Sequence, residues 1–360
     1  MASRTGQRFV RTLINSTSYR TGLATRTFTP VYRYSYNHNL NFQRQFSNTF
    51  ARYSMSSEQD KNHSKETYDL DALFGVHDLT AVITGGGTGI GLMCTLALAH
   101  NGARVFIMSH KEDDVKKAAD EWNPKVKGEI IPIVCDVSDK KSLEEAVKEV
   151  EKTSPYIDLL VNNAGITGPE ANLETSKDHA PHKADANNVE EMQKHLWEKE
   201  EPKGWHMTFQ INTIGVYFTT VAFLRLLAKG KKNSSNSNDH TGTGRKGSVI
   251  NISSMSAITK KAQDHFAYNA SKAATLHLTK MMAQEFSGLG IRINTIAPGV
   301  VPTEMSEATE DEVEEMKLPA GRLADERDMA GALLYLVGRA GEYINGQAIV
   351  VDGGFLLTNP

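Results

Sequence analysis

The sequence has only two cysteines, Cys94 and Cys135, among its 360 residues. Two thiols are too few for a scaffold built on disulfides or for a zinc site made of cysteines. The twelve histidines are scattered, and none belongs to an H-E-x-x-H pair, which would place two zinc ligands on one helix face. We therefore predict no metal site from these residue types.

Long apolar runs are also missing. No uninterrupted apolar run approaches the roughly 20 residues that a membrane-spanning helix needs. With 39% hydrophobic and 23% charged residues, the composition is that of a globular protein, and the length suffices for one large domain or two small ones. We expect no membrane span.

Acidic residues are absent from the first 57 positions, which hold eight arginines and no lysine. An acid-free N-terminal segment rich in arginine, serine and threonine is typical of a mitochondrial transit peptide. A disordered tail and a nucleic-acid-binding arm are the alternatives. The rest of the chain carries 32 basic and 43 acidic side chains, a net charge of −11, so we expect no nucleic acid on the mature protein. We assign residues 1–53 to the transit peptide, 54–65 to a linker and 66–360 to one domain in the mitochondrial matrix.

From Leu79 onward, short apolar stretches alternate with helical patterns. The predicted strands are 80–84, 104–108, 130–134, 157–161, 248–252, 291–296 and 348–351. The predicted helices are 90–100, 113–122, 142–153, a helix from near 205 through 227, 266–286, 304–316 and 326–339. This alternation predicts βαβ units with a parallel sheet, and right-handed crossovers place helices on both faces. The expected fold class is α/β, a single doubly wound parallel sheet of the Rossmann type.

Two stretches interrupt the alternation. Residues 168–204 are polar and contain His179, His182 and His195, which leaves a solvated excursion, a partly helical lid and a metal site as alternatives. Residues 229–246 are rich in glycine, serine, asparagine and lysine, which is typical of a surface loop.

A glycine motif, Gly85-x-x-x-Gly89-x-Gly91, follows the first strand and opens the first helix of the alternating region. Glycines let the backbone approach a diphosphate closely, and the helix N-terminus offers unpaired N–H groups to its phosphates. A glycine-rich turn without a ligand is the alternative. We predict dinucleotide contacts from Gly85, Thr88, Gly89 and Ile90.

The end of the second strand reads Ser109-His110-Lys111, with no acidic residue before Glu112. An acid at this place favours NAD, whereas basic or neutral groups tolerate a 2′-phosphate. The sequence therefore favours NADP(H) over NAD(H), with Ser109, His110 and Lys111 as contacts. Asp136 and Val137 follow the third strand and are placed to meet the adenine ring. Asp136 could instead cap the next helix.

Tyr268 and Lys272 lie four residues apart in a predicted helix, and thus on one face. An ammonium ion favours the phenolate, so we expect Lys272 to lower the pKa of Tyr268. Such a tyrosine can exchange a proton with an alcohol or carbonyl oxygen near neutral pH, and the hydroxyl of Ser254 could hold the same oxygen. Alone, the Tyr–Lys pair occurs by chance in many helices.

Taken together, the motifs resemble those of the short-chain dehydrogenases/reductases over about residues 75–354. The matching stretches are Thr84–Gly91, Asn162-Asn-Ala-Gly165, Asn212, Ile252-Ser-Ser254, Tyr268-x-x-x-Lys272, Pro298-Gly299 and Gln347…Asp352-Gly-Gly354. They follow the family's order at roughly its spacing. The sequence around residues 268–285 and 343–346 is most similar to that of fungal members that resemble 3-oxoacyl-[acyl-carrier-protein] reductases.

The resemblance implies roles for four catalytic residues. Tyr268 is then the proton donor in carbonyl reduction, and Lys272 binds the nicotinamide ribose. Ser254 holds the substrate oxygen, although the adjacent Ser253 is an alternative. Asn212 holds a water that links Lys272 to solvent, unless it only bends its helix.

The resemblance also implies that Asn163, Ala164 and Gly165 line the cofactor. Residues that follow the sixth strand contact its carboxamide end: Pro298, Gly299, Val301 and Thr303. Thr303 could instead cap the acidic helix that follows, and residues 304–318 are expected to form a lid over the substrate.

These expectations give an NADP(H)-dependent carbonyl reductase or alcohol dehydrogenase. A 3-oxoacyl thioester is the leading substrate. A small ketone, sugar or polyol is the alternative, because the two insertions and the acidic lid distinguish this chain from compact members of the family and leave the substrate open. A nucleotide-binding scaffold protein is the competing class. Family members form homodimers or homotetramers, and we expect the same here.

Overall fold

Seven parallel strands form one sheet in the computed structural model, in the order β3-β2-β1-β4-β5-β6-β7. The strands are β1 (Thr80–Thr84), β2 (Arg104–Ser109), β3 (Glu129–Val134), β4 (Leu159–Asn162), β5 (Ser248–Ile252), β6 (Arg292–Pro298) and β7 (Ala348–Val351). The structure describes residues 68–171, 188–230, 247–306, 313 and 316–359. The predicted transit peptide, the linker and most of the 229–246 loop lie outside these residues.

The described helices connect the strands and follow the chain order. They are α1 (Leu70–Phe74), α2 (Gly89–Ala99), α3 (Glu112–Trp122), α4 (Lys140–Glu151), α5 (Val189–Lys199), α6 (Pro202–Phe209), α7 (Val216–Lys229), α8 (Phe266–Glu285), α9 (Glu326–Val337) and α10 (Phe355–Thr358). A π-helix, Gln210–Gly215, joins α6 to α7 and is called the π-turn below.

The core lies on both faces of the sheet. On one face, α2, α3 and α9 pack through residues such as Leu98, Val115 and Leu333. On the other, α4, α7 and α8 contribute residues that include Phe223 and Met282. Because both faces are covered, the central strands are continuous apolar runs, and every residue of β1 and β5 is buried. The predicted doubly wound α/β fold is confirmed.

The strand order fixes where a ligand can bind. The chain winds outward from β1 through β2 to β3, then returns to the other side of β1 with β4. The connections therefore leave β1 and β4 in opposite directions, and a crevice opens at their carboxyl ends. The glycine motif after β1 and the Asn163–Gly165 segment after β4 meet at this crevice.

The helix before β5 matches the helix predicted from near Trp205 through Leu227, and its ends lie only about three and two residues further out. From Pro202 to Lys229 it is continuous, with a stretch long and apolar enough to cross a membrane by length and composition alone. Of that stretch, 44% is buried against the rest of the described protein. Its buried apolar residues, among them Val216, Phe223 and Leu226, pack into the core on one face of the sheet, whereas Ile214, Tyr217 and Val221 are partly exposed.

Other predicted elements shift or change. Most bounds move by one to three residues, because helices and strands end where caps and pairing allow. The predicted acidic helix 304–316 is wrong at its start: 303–306 form a turn in which the Ser306 N–H donates to the Thr303 carbonyl. Residues 307–312 and 314–315 lie outside the described part. Of the polar insertion, 188–204 is largely helical, whereas 172–187 is not described.

Candidate active site

A cavity of about 490 Å³ occupies the crevice at the carboxyl ends of the strands. Most of the predicted site residues line it. They are Gly85, Thr88, Gly89, Ile90, Ser109, His110, Lys111, Asp136, Val137, Asn163, Ala164, Gly165, Ser254, Tyr268, Lys272, Pro298, Gly299 and Thr303. The tertiary structure thus brings together residues from seven segments of the chain.

The turn after β1 has the shape of a phosphate cradle. Gly85 has φ +65°, and a Cβ on it would lie 2.9 Å from Nδ2 of Asn163. A Cβ on Gly91 would lie 1.9 Å from the carbonyl oxygen of Gly85. Thr88, the N-cap of α2, makes no side-chain capping bond. The N–H groups of the first turn are therefore not paired by Thr88, and they face the cavity. A diphosphate fits such a helix N-terminus.

Asn163 holds this turn in place. Its Nδ2 donates to the carbonyls of Thr84 and Gly85, both at 3.1 Å. The hydroxyl of Thr84 in turn accepts from the N–H groups of Asn163 and Ala164, at 2.9 and 3.0 Å. These bonds tie the end of β4 to the glycine turn and fix the width of the crevice.

The end of β2 forms the adenosine side of the cavity. Ser109, His110 and Lys111 line it, and the Lys111 N–H donates to Oγ of Ser109 at 3.1 Å. Asp114, in the first turn of α3, also lines the cavity. Sequence reasoning missed Asp114. In NAD-binding members the acidic residue is sought at the end of the second strand, and Asp114 lies beyond that position in the chain.

Asp136 and Val137 line the cavity beside Cys135. The alternative that Asp136 caps the next helix is wrong. Asp139 caps α4 by accepting from the Lys141 N–H at 3.0 Å, whereas Asp136 accepts from the Ser138 N–H at 2.8 Å. Asp136 therefore closes a turn that places its own segment against the cavity.

Ser254, Tyr268 and Lys272 meet at the nicotinamide end. Ser254 starts a short 3₁₀ turn after β5 and accepts from the Ser256 N–H at 3.1 Å, and its hydroxyl is hydrogen-bonded to the Tyr268 phenol. The Lys272 ammonium donates to the carbonyl of Ile252 at 2.9 Å and lies 5.6 Å from the centroid of the Tyr268 ring. The alternative, Ser253, uses its hydroxyl to bond the Lys272 carbonyl at 2.8 Å.

Burial dominates the electrostatics of this cluster. It raises the pKa of the Tyr268 phenol above its ordinary value, and the hydrogen bond with Ser254 lowers that pKa by less. Burial also lowers the pKa of the Lys272 ammonium to about 8. The expected lowering of the Tyr268 pKa is therefore not found in the protein's own groups, because burial has the largest effect on it.

Asn212 does not line the cavity but stands behind it in the π-turn. It is 1% exposed, and its carboxamide forms a pair of 2.9 Å hydrogen bonds with the backbone of Ile166. A Cβ on Gly165 would lie 3.1 Å from Oδ1 of Asn212 and 3.3 Å from Nζ of Lys272. The Gly165 backbone thus lies beside the Asn212 and Lys272 side chains, and a side chain at position 165 would meet both.

The strand β6 supplies the remaining wall. Pro298 and Gly299 line the cavity, and a Cβ on Gly299 would lie 2.7 Å from Cα of Asp352. Thr303 also lines it and closes the 303–306 turn, accepting from the Ser306 N–H at 3.3 Å, so it caps no described helix. Val301 is buried and does not line the described cavity.

Several lining residues escaped sequence reasoning. They are Met108, Asp114, Cys135, Ile166, Thr167, Ile211, Ile252, Glu304 and Met305. Most are apolar or lie next to predicted residues. The sequence could have pointed to Met108 and Cys135, because each directly precedes a predicted cofactor contact.

Comparison with known proteins identifies the family. The family model described as short chain dehydrogenase matches residues 79–314. The chain belongs to this family. Short-chain dehydrogenases/reductases are nicotinamide-dependent oxidoreductases that act on carbonyls and alcohols, and the structure has their fold.

Two curated relatives illustrate the range of this similarity. The short-chain dehydrogenase/reductase PhomF of Diaporthe leptostromiformis is 37% identical over 80% of this chain and 94% of its own length. The galactitol 2-dehydrogenase (L-tagatose-forming) of Cereibacter sphaeroides is 30% identical over 80% of this chain and 98% of its own.

Two solved structures resemble the chain closely in fold. RhlG of Pseudomonas aeruginosa, in an NADP complex, is 27% identical with a TM-score of 0.62 and covers 79% of this chain and 99% of its own. A 3-oxoacyl-[acyl-carrier protein] reductase from Brucella melitensis with bound NAD is also 27% identical, with a TM-score of 0.62, and covers 79% and 94%. Proteins of this fold thus bind either nicotinamide dinucleotide.

Proposed function

We propose that this short-chain dehydrogenase/reductase interconverts a carbonyl and a secondary alcohol with NADP(H), and that Tyr268 exchanges the proton. The observation that carries the proposal is the cluster of Ser254, Tyr268 and Lys272 at the end of a cavity whose other end is a glycine cradle. The cradle accepts no side chain at Gly85 or Gly91, so it fits a diphosphate.

The chain's own residues would hold the dinucleotide along the cavity. N–H groups at the start of α2 face the diphosphate, while Asp136 and Val137 lie at the adenine. Ser109, His110 and Lys111 favour the 2′-phosphate of NADP(H), since none is acidic. Asp114 and Asp136 are the acidic side chains among the described lining residues of this end. The bound cofactor supplies the hydride chemistry.

The substrate oxygen would sit between Ser254 and Tyr268. Both hydroxyls can donate to it, and they stabilise the negative charge that grows on the oxygen in carbonyl reduction. Tyr268 carries its proton at neutral pH, so it is the group that would transfer a proton to that oxygen. Lys272, fixed on Ile252 and beside Gly165, is placed toward the ribose and the Asn212 side.

The substrate end favours an apolar chain. Ile166, Ile211 and Met305 line it together with Thr167. This lining supports a 3-oxoacyl thioester as the leading substrate, because a polyol would bury hydroxyl groups against apolar walls without partners. The similarity to galactitol 2-dehydrogenase keeps a sugar or polyol as the second candidate.

The test is turnover by the full-length protein. NADPH and NADH oxidation would be followed with acetoacetyl-CoA, small ketones and ketoses, with Tyr268→Phe alongside and Tyr335→Phe as a surface control. We expect NADPH loss with the thioester, abolished in Tyr268→Phe alone. Turnover of ketoses only would discard the acyl substrate, and cofactor binding without turnover of any substrate would favour a nucleotide-binding scaffold.

We also propose a mitochondrial location and a homo-oligomer. The acid-free, arginine-rich segment 1–53 supports import into the matrix. An outward row of apolar residues on the π-turn and α7, Ile214, Tyr217 and Val221, is 38–41% exposed and supports self-association. Imaging of the protein fused to a fluorescent marker at its C-terminus tests the first proposal. Light scattering tests the second, and a monomer would refute it.

A further inference from the structure

Thr275, one turn after Ser271 on α8, bonds directly to the π-turn. Its Oγ1 donates to the main-chain carbonyl of Asn212 at 2.6 Å. Two further bonds run across the same contact: Thr213 Oγ1 donates to the Ser271 carbonyl at 2.9 Å, and Asn212 Nδ2 donates to Ser271 Oγ at 3.0 Å. We propose that Thr275 is a positioning residue, whose hydroxyl fixes the π-turn and so the environment of Lys272. The proposal rests on the reaction proposed above.

The π-turn is the part of the helix that needs such a bond. A π-helix pairs each carbonyl with an N–H five residues on, is rare, and persists where neighbouring groups hold it. Here it carries Asn212, whose carboxamide grips Ile166 through two bonds of 2.9 Å. A shift of the π-turn would therefore move the backbone at Ile166 and the adjoining Gly165.

Gly165 transmits that shift to the catalytic lysine. The position of its absent Cβ lies 3.1 Å from Asn212 Oδ1 and 3.3 Å from Lys272 Nζ. Because glycine has no side chain, the Gly165 backbone lies beside both Asn212 and Lys272, and a shift of that backbone would change the space next to the ammonium. Thr275 acts through Asn212 and Gly165, and it touches neither cofactor nor substrate.

A second chain of hydrogen bonds links the π-turn to Tyr268. Ser271 Oγ, which accepts from Asn212, donates to the Tyr268 carbonyl at 2.7 Å. Asn212 is 1% exposed, and Ser271 and Thr275 are fully buried. Buried polar groups of this kind hold one geometry, because leaving any of them unpaired costs free energy. Thr275 thus joins the turn of α8 that carries both reacting side chains to the π-turn.

Thr279 provides a matched comparison one turn further along α8. It is equally buried, at 1% exposed, and its hydroxyl bonds the carbonyl of Thr275 at 2.9 Å. It also accepts from Asn251 Nδ2 and from Thr295 Oγ1, both at 2.8 Å, and within the described residues its hydrogen bonds go to α8, β5 and β6 rather than to the π-turn. Replacing either threonine by valine keeps the shape and removes one buried hydroxyl.

The test compares Thr275→Val, Thr275→Ser and Thr279→Val in the full-length protein. We expect Thr275→Val to lower kcat about tenfold or more, with KM changed less, and to shift the pH profile of kcat. Thr275→Ser restores kcat, because it keeps the hydroxyl. Thr279→Val lowers the thermal midpoint as Thr275→Val does, but leaves kcat within about twofold. Equal kcat in the two valine variants, or no rescue by serine, would overturn the proposal.

A second readout separates this proposal from the proposed function. If the wild-type protein turns over no substrate, the proposed function fails, and hydrogen exchange of the π-turn amides then decides the role of Thr275. Faster exchange over 210–217 in Thr275→Val than in Thr279→Val supports it. Equal exchange in the two variants overturns it.

Discussion

The ammonium of Lys272 donates a 2.9 Å hydrogen bond to the carbonyl of Ile252, the last residue of β5. The bond ties α8 to the sheet two residues before Ser254. It therefore fixes the distance between the segments that carry the two hydroxyls of the site. The same lysine is buried without a described carboxylate beside it, and its pKa falls to about 8 as a result.

Lys272→Met should stabilise the fold while it abolishes activity. The lowering of the lysine pKa from 10.5 to about 8 costs roughly 3 kcal/mol when both folded and unfolded chains are protonated. The variant also loses the hydrogen bond to Ile252, which destabilises it by about 1 kcal/mol. We therefore expect the free energy of unfolding to increase by about 2 kcal/mol at pH 7.

The pH dependence gives the sign of this effect. Between about pH 8 and pH 10.5 the unfolded chain binds a proton that folded Lys272 does not, so wild-type stability from this group rises with pH. The advantage of Lys272→Met should therefore shrink across that window and vanish above it. Urea unfolding at pH 7 and pH 10 measures the difference, and a variant that is less stable at pH 7 would contradict it.

Ser254→Ala should slow turnover more than Ser253→Ala. The Ser254 hydroxyl faces the phenol of Tyr268 in the cavity, whereas that of Ser253 bonds the Lys272 carbonyl. We expect kcat to fall by about 10²-fold for Ser254→Ala. The Ser253 variant should mainly lower the unfolding midpoint. Steady-state kinetics and thermal unfolding separate the two, and the reverse order would reassign the serine.

Ser109→Asp should shift cofactor preference toward NADH. A carboxylate at the end of β2 repels a 2′-phosphate and can bond a ribose 2′-hydroxyl, so the Kd for NADPH should rise about tenfold relative to that for NADH. Ser287→Asp, an exposed serine outside the cavity lining, is the control for charge. Fluorescence titration with each reduced cofactor measures the ratio. An unchanged ratio would place the discrimination elsewhere, with Asp114 as the next residue to replace.

Gly91→Ala should abolish cofactor binding and destabilise the protein. The added Cβ would lie 1.9 Å from the Gly85 carbonyl oxygen and 2.5 Å from Nδ2 of Asn163, so it has no room. Gly288→Ala is the control, because a Cβ there meets nothing within 4 Å. Thermal unfolding and cofactor titration test the pair. Normal binding by Gly91→Ala would show that the glycine turn is not a cradle for the diphosphate.

The sequence predicted those elements whose local pattern and fold agree. β1, β5 and β7 begin and end where predicted, because each is a short, mostly apolar stretch bounded by turn residues. The fold class followed from the alternation of strands and helices. Most of the site followed too, since its residues sit in short motifs at strand ends.

The remainder depended on contacts between distant segments. The sequence of Gln210–Gly215 is compatible with an ordinary α-helix, and the bonds from α8 and Ile166 hold it as a π-turn. The predicted effect of Lys272 on Tyr268 assumed that charge would dominate, but burial, which no local pattern shows, reversed the shift.

The sequence by itself determined the fold, the glycine cradle and the Tyr268–Lys272 pair, because each depends on residues close together in the chain. Only the tertiary structure decided that Asp114 faces the cofactor cavity, that the Ser253 hydroxyl is bonded to the Lys272 carbonyl and that Thr275 reaches Asn212. Packing fixes those orientations, and packing depends on partners tens of residues away.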